Sequence, residues 1–448
     1  MEISEIVQKM MGEGPVCDHC LGRQFSKLST GLSNDERGHA IKLYMALEGF
    51  KKFNETGDDS QLKLLEESCV YAKQNTKNKQ NAQNEQNTQN SQNEQETENK
   101  EESCWVCIDI FKNLDYWANR VVSLIKDIEF DTFLIGTKPT GLLKENEEIV
   151  WELCGFSYSE PLKSELNREI GKRVSKIIQK NVDFSNPDVT VIIDLAKDSI
   201  KVQLRSIYIL GRYKKYVRGI PQTHWPCRKC KGSGCEICEG TGKQYQESVE
   251  ELISKHLIPL TDAEGSAFHG AGREDIDALM LGSGRPFVIE AKSPRIRTID
   301  LESFVEKVNT QSDGKIEISD IQFCEKAAIE QLKSEKADKT YRLKIKFDEP
   351  VSIEILNKLD VLNGAVISQH TPNRVVHRRA DLLRTRKVHS VETESVDGNY
   401  AYVKVHCDGG LYVKELTSGD EGRTKPNISE IVGIKAKVEE LDVIDVNI

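Results

Sequence analysis

Eight of the twelve cysteines in this 448-residue chain form four C-x-x-C pairs, Cys17/Cys20, Cys104/Cys107, Cys227/Cys230 and Cys235/Cys238; Cys69, Cys154, Cys324 and Cys407 stand alone. Two residues between thiolates let both bind one tetrahedral Zn²⁺ at about 2.3 Å, so each pair is half of a four-sulfur site. Redox C-x-x-C motifs and disulfides are the alternatives. A redox pair normally opens a helix after a strand, and four pairs flanked by Gly, Lys and Trp fit structural zinc better; a reducing compartment follows. Four thiolates leave no position for water, so such a metal holds structure and does no chemistry.

The run Cys227-Arg-Lys-Cys230-Lys-Gly-Ser-Gly-Cys235-Glu-Ile-Cys238-Glu-Gly-Thr-Gly242 repeats C-x-x-C-x-G-x-G and is similar to the zinc centre of DnaJ-type proteins, where glycines turn backbone amides toward the thiolates. The other two pairs are separated by 83 residues, of which 29, residues 74–102, are almost all Asn, Gln, Glu and Lys. That composition cannot bury a core and predicts disorder. Shortening the loop from 83 to 54 residues would change its closure entropy by only about 0.4 kcal/mol, so the insert leaves a joint site of Cys17, Cys20, Cys104 and Cys107 available.

The carboxylates allow two readings. Asp277 followed by Glu290-x-Lys292 fits the D…E-x-K pattern of metal-dependent nucleases, in which two carboxylates hold Mg²⁺ and a lysine sits beside the attacking water. Without that role, Glu290 and Lys292 are a charged pair on one strand face. Alternatively, Gly272-Arg273-Glu274-Asp275 is a loop presenting an aspartate beside an arginine at the start of a strand.

These residues need elements to carry them. Ile110, Leu114, Trp117, Val121 and Leu124 recur at helical spacing, as do Leu166, Ile170, Val174 and Ile177. Strands are expected at 130–136 and in the alternating runs Val189/Val191/Ile193/Leu195 and Ile200/Val202/Leu204, which makes a compact α/β domain ending near Gly219. A helix around Val249–Leu257 opens an α+β region with a hairpin, 276–281 and 286–291, turning at Gly282-Ser283-Gly284. Further strands are expected at 315–323, 340–347, 388–394 and 400–406, and helices at 301–308 and 326–332. No stretch approaches the roughly 18 apolar residues of a membrane span, and residues 1–14 lack a signal-peptide pattern.

A net charge of −10 argues at first against nucleic acid. The charge is uneven, however: residues 54–103 carry 11 acidic and 5 basic side chains (−6), residues 201–243 carry 10 basic and 2 acidic (+8), and residues 374–390 carry 6 basic and 1 acidic (+5). The +8 block is interleaved with Tyr208, Tyr213, Tyr216, His224 and Trp225, a pattern suited to phosphate tracking and stacking on unpaired RNA bases.

Residues 269–295, Thr371-Pro-Asn-Arg-Val-Val-His-Arg-Arg-Ala-Asp-Leu-Leu-Arg-Thr-Arg386 and Tyr412-Val-Lys-Glu-Leu-Thr-Ser-Gly-Asp-Glu-Gly-Arg-Thr-Lys-Pro-Asn427, together with the amino-terminal cysteine pairs, resemble the tRNA pseudouridine synthases of the tenth class, found in archaea and eukaryotes. The insert is the clear departure from the family. The resemblance implies an α+β protein with three parts. A zinc-clamped, THUMP-like α/β RNA-binding domain covers 1–220, a zinc knuckle covers 221–244, and a catalytic domain with a mixed, mainly antiparallel sheet covers 245–448.

It further implies isomerisation of uridine to pseudouridine at T-loop positions 54 and 55 of tRNA, with structural zinc but no catalytic cofactor. Asp275 becomes the nucleophile, toward ribose C1′ or uracil C6, and Lys414 the cation that keeps it ionised, with Arg273 helping to hold the loop or the displaced RNA. Tyr341 stacks on the flipped uracil and assists removal of the C5 proton, Tyr412 is a second substrate contact, and Arg378, Arg379, Arg384 and Arg386 grip the splayed RNA. The expected partner is the tRNA T-arm, in the cytoplasm, with no membrane and no obligate protein partner. A D…E-x-K nuclease and a non-catalytic zinc-dependent tRNA-binding adaptor remain the alternatives.

Overall fold

The computed structural model describes residues 2–69, 71–73, 103–334, 337–377 and 380–447. The insert expected to be disordered, 74–102, and two of the arginines expected to grip RNA, Arg378 and Arg379, lie outside the described residues. The chain divides into two compact units, Met1–Arg205 and Ser206–Ile448.

In the first unit, the helix Asn34–Thr56 starts at a capping box formed by Ser33 and Glu36. It crosses the short helix Asp18–Arg23 at paired glycines: a Cβ on Gly22 would lie 1.7 Å from the Asn34 carbonyl oxygen, and one on Gly38 2.0 Å from that of Asp18. The sheet comprises β1 (Thr132–Lys138), β2 (Asn181–Val182), β3 (Val189–Asp194) and β4 (Ser199–Leu204) in the order β2-β1-β3-β4. β1 runs parallel to β2 and β3, and β4 antiparallel to β3. The helices Leu114–Ile125 and Leu162–Ile178 pack on one another and contribute to a single core with Phe133, Val189, Val191 and Ile193. The helical stripe differs from expectation in phase. Ile110–Asn113 is a 3₁₀ turn, so the α-helix starts at Leu114 and buries Ile125 while Leu124 faces solvent.

The second unit is built on a ten-stranded sheet: β5 (Ile207–Lys215), β6 (Gly265–Gly270), β7 (Leu279–Lys292), β8 (Ile316–Cys324), β9 (Asp338–Phe347), β10 (Val366–Gln369), β11 (Arg384–Asp397), β12 (Tyr400–Cys407), β13 (Thr424–Lys425) and β14 (Ala436–Asn447). The order is β13-β10-β11-β12-β9-β14-β7-β5-β8, with β6 also on β7. Only the β14–β7 pair is parallel, as expected of a mixed, mainly antiparallel sheet. The first domain was expected to end near Gly219, which would place β5 inside it, but the first unit ends at Arg205. β5 pairs instead between β7 and β8, its alternate residues Ile207, Ile209 and Tyr213 joining the second unit's core.

The expected hairpin at 276–291 is a single strand. Tyr213 pairs with Arg285 and Lys215 with Met280, so residues 281–284 bulge outward instead of turning. Gly282 has φ +60° and Gly284 φ +74°. A Cβ on Gly282 would lie 1.7 Å from the Ile444 carbonyl oxygen, so glycine is what lets β14 approach here. Along that edge β7 pairs first with β14, at Leu279 and Met280, and later with β6, from Phe287 to Lys292. The loop 271–278 joins β6 to β7 between these two pairings and is tied to the strand by Ala271 N–H donating to Pro286 O at 2.9 Å.

Candidate active site

Asp275 lies in this loop at one wall of a cavity of about 1040 Å³. Lys414, in the short helix Val413–Ser418, sets its Nζ 3.1 Å from Asp275 Oδ2 and 3.0 Å from Asp277 Oδ2. Arg374, on the helical turn Asn373–Val376, places Nη1 3.8 Å from Asp275 Oδ2 and is itself oriented by Glu415, with Nε donating to Oε1 at 2.7 Å. The Asp275 side chain is 36% exposed, so it remains reachable between the two cations. Burial alone would lower the Lys414 ammonium, and the carboxylates of Asp275 and Asp277 outweigh it, holding the lysine above its ordinary value. Burial likewise opposes ionisation of Asp277, but Lys414 holds its carboxyl below the usual range.

A buried polar cluster fixes the loop from beneath. Glu274 accepts a hydrogen bond from Tyr213 Oη at 2.7 Å and pairs with Arg285 Nε at 2.9 Å, all three side chains being removed from solvent. Gln222 donates to Tyr213 Oη at 2.8 Å and to Gly272 O at 3.1 Å. Lys215, fully buried on β5, donates to Ile276 O at 3.2 Å. The backbone on both sides of Asp275 is thus held by groups that packing leaves little room to move.

Tyr341 and Tyr412 line the same cavity, as do Arg273, Arg384 and Arg386. Tyr341 is on β9; burial, then Cys407 and finally the Asp275 carboxylate raise its phenol above the ordinary tyrosine value. The Tyr412 backbone exchanges hydrogen bonds with the Gln369 side chain at 2.8 and 3.0 Å, and Arg374 lies 5.9 Å over its ring. Arg273 does not reach Asp275's carboxylate; its guanidinium stacks 4.5 Å over Trp225. Arg384 donates to Thr371 Oγ1 at 2.8 Å and Arg386 to Gly409 O at 2.9 Å, neutral partners, and among the described residues neither has a carboxylate.

The D…E-x-K grouping does not assemble. Asp277 precedes β7 and Glu290 lies near the strand's far end: the β5 residues opposite Met280 and Glu290 are Lys215 and Tyr208, 7 positions or about 23 Å apart along that strand. Glu290 instead accepts from Tyr208 Oη at 3.4 Å and faces His269.

Both four-cysteine groups do assemble: the four sulfurs in each lie within 4.8 Å of one another. Tetrahedral Zn–S bonds of about 2.3 Å place sulfurs about 3.8 Å apart, and the observed separations are 3.6 Å for Cys17–Cys107, 3.9 Å for Cys227–Cys235 and 3.8 Å for Cys230–Cys238. In the first group Cys17 N–H points at Cys104 Sγ (3.2 Å); in the second, Gly242 N–H points at Cys238 Sγ (3.2 Å). Sites with such amide donors suit thiolates, and the donor set fits zinc.

The family model described as "Pus10, C-terminal" matches residues 208–447, more than half of the chain, and "Pus10 THUMP domain, archaeal" matches residues 117–194. The chain belongs to the Pus10 family. Relatives called tRNA pseudouridine synthase Pus10 include those of Methanothrix thermoacetophila (45% identical, covering 97% of this chain and 92% of that one), Methanocaldococcus jannaschii (41%; 100% and 95%) and Halorubrum lacusprofundi (39%; 100% and 96%). Membership in the Pus10 family makes the chain a pseudouridine synthase, an isomerase of RNA with a THUMP domain. Among the described residues no helix is long and apolar enough to cross a membrane.

Several groups in this Pus10 cavity escape a reading by motif alone. Arg374 stands inside a quoted motif but reads there as one more positive charge. Glu274 and Arg285 form a buried pair from positions where charged residues ordinarily suggest solvent. Trp225 reads as an RNA-stacking surface group, whereas one side of it already carries Arg273. Tyr213, expected among the stacking residues, is fully buried and bonded to Glu274.

Proposed function

We propose that the cavity isomerises uridines 54 and 55 of the tRNA T-loop, with Asp275 as nucleophile. The observation that carries this reading is a solvent-reachable carboxylate between two cations, on a loop braced by buried hydrogen bonds, in a cavity roomy enough for a displaced nucleotide. Asp275 adds to ribose C1′ or to uracil C6, the C1′–N1 bond breaks, and the base turns so that C5 meets C1′. The C5–C1′ bond then forms, the bond to Asp275 breaks, by displacement at C1′ or by elimination from C6, which restores the carboxylate, the C5 proton leaves and N1 gains a proton. Atoms and electrons balance without a cofactor.

Lys414 and Arg374 flank the Asp275 carboxylate and orient it, and Lys414 is shared with Asp277, which fixes the ammonium in place. Tyr341 stacks on the uracil and takes part in proton removal at C5; Tyr412 contacts the nucleoside from the other wall. Arg384 and Arg386 hold the phosphates of the splayed loop, while the THUMP-containing unit binds the body of the tRNA. Zinc at Cys17, Cys20, Cys104 and Cys107 and at Cys227, Cys230, Cys235 and Cys238 supplies crosslinks only.

Asp275→Asn tests the reading. Affinity for an unmodified tRNA transcript should stay within about twofold while pseudouridine formation disappears, because the amide keeps the shape and loses the nucleophile. Near-normal product would remove Asp275 from the role. Binding without any product from the native protein would favour the adaptor instead.

A further inference from the structure

Lys339 stands in the cavity without a counter-charge. It precedes Tyr341 by two residues on β9, so the two side chains leave the strand on one face, and both line the cavity. Three other cations beside the loop have carboxylates of their own, Lys414 with Asp275 and Asp277, Arg374 with Glu415, and Arg285 with Glu274, while Lys215 is taken up by loop carbonyls and Arg273 by Trp225. Among the described residues the Lys339 ammonium makes no hydrogen bond or ion pair. Burial, and then repulsion from Arg285, push its ammonium down from 10.5 to about 8. The loop makes room for it as well. Gly272 has φ +77°, and a Cβ there would lie 3.0 Å from Lys339 Nζ and 3.3 Å from Arg285 Nη1.

A half-buried ammonium with no partner costs the free protein stability, and a ligand that brings an anion to it removes that cost. Uracil and ribose are neutral, so the anionic group a nucleotide brings into this cavity is its phosphodiester. The neighbouring charges cannot serve, since the Asp275 and Glu274 carboxylates are already engaged by other cations.

We propose that Lys339 forms a phosphodiester subsite on the cavity floor, holding the phosphate next to the displaced uridine while Tyr341 faces the base. The proposal rests on the cavity being the place where RNA is modified. It makes Lys339 a positioning residue: an anchored phosphate fixes where C1′ stands relative to Asp275.

The test measures the affinity of an unmodified tRNA transcript for native protein, Lys339→Met and Lys339→Arg over a series of KCl concentrations, together with the thermal midpoint of each free protein. Lys339→Met should weaken binding about tenfold or more and reduce the slope of log K against log [salt] by about 1, while Lys339→Arg retains the slope. Its thermal midpoint should be unchanged or higher, because an uncompensated cation has been removed. An unchanged salt slope in Lys339→Met would overturn the proposal, since a contact to a uracil carbonyl releases no counterion. A lower thermal midpoint would overturn it too, showing a lysine that holds the fold. Binding is scored without turnover, so a native protein that binds transcript but forms no pseudouridine contradicts the proposed function and leaves the slope to decide the subsite.

Discussion

The proposed attack by Asp275 on carbon needs a carboxylate that its counter-ions do not smother. Asp275 shares Lys414 with Asp277, so neither carboxylate monopolises the ammonium, and Arg374 stands back at 3.8 Å under the pull of Glu415. Lys414→Met should therefore lower turnover about 100-fold or more while leaving the fold intact, as seen in single-turnover kinetics beside circular dichroism. The Asp277–Lys414 pair also sets a pH window. Asp277 is held below its ordinary value, so the stability it contributes is full above about pH 4 and is lost as pH falls through the lower folded value. Lys414 is held above its ordinary value, so its contribution is full below about pH 10 and is lost as pH rises through the higher folded value. Denaturation midpoints followed from pH 6 to about pH 3 should fall less steeply in Asp277→Asn than in the native protein; parallel curves would contradict the pairing.

At the scale of elements, the bulge in β7 and the cluster beneath the loop turn sequence into position. Gly282→Ala puts a Cβ at positive φ against the Ile444 carbonyl, and should cost the second unit more than about 1 kcal/mol in a urea titration. Arg285→Met leaves Glu274 buried without its cation and should cost about 3–5 kcal/mol by the same measurement. These are also the features that the sequence conceals. Gly-Ser-Gly between two apolar runs carries the same signal for a turn and for a bulge, and only pairing with β5 and β14 distinguishes them. Five helices and about half of the strands were legible because burial imposes a period, as in Val189, Val191 and Ile193, whereas the helices Asn34–Thr56 and Leu142–Cys154 and the strands β5, β6, β10, β13 and β14 were not. Asp275, Lys414 and Tyr412 stand in long motifs and Tyr341 in the short Thr340-Tyr-Arg342, and the structure gathers the four around one cavity. Arg285 and Lys339 were not legible, because a charged residue on a strand reads as solvent-facing until its neighbours are known.

For the whole molecule, summed charge is a poor guide to where RNA binds. The +8 block at 201–243 is not one patch: Lys201 and Arg205 belong to the first unit, Lys215 is buried, and Lys214, Arg218 and Lys243 are paired with Glu317, Asp442 and Glu251. Arg212 is spent on the carbonyls of Ser283, Gly284 and Val446, and among the described residues Arg228, Lys229 and Lys231, exposed on the cysteine knuckle, are the remaining members of the block with no carboxylate partner. Both units carry a four-cysteine group, and elemental analysis of the purified protein should find two zinc ions per chain; fewer than one would contradict both sites. The central claim concerns the chemistry at Asp275. Its most direct test is site-specific pseudouridine mapping on an unmodified tRNA transcript after brief incubation with EDTA, native protein beside Asp275→Asn. Pseudouridine at T-loop position 54 or 55 with native protein, and none with the variant, is the expected result. Product that survives Asp275→Asn, or a native protein that leaves the T-loop uridines unchanged, would contradict it.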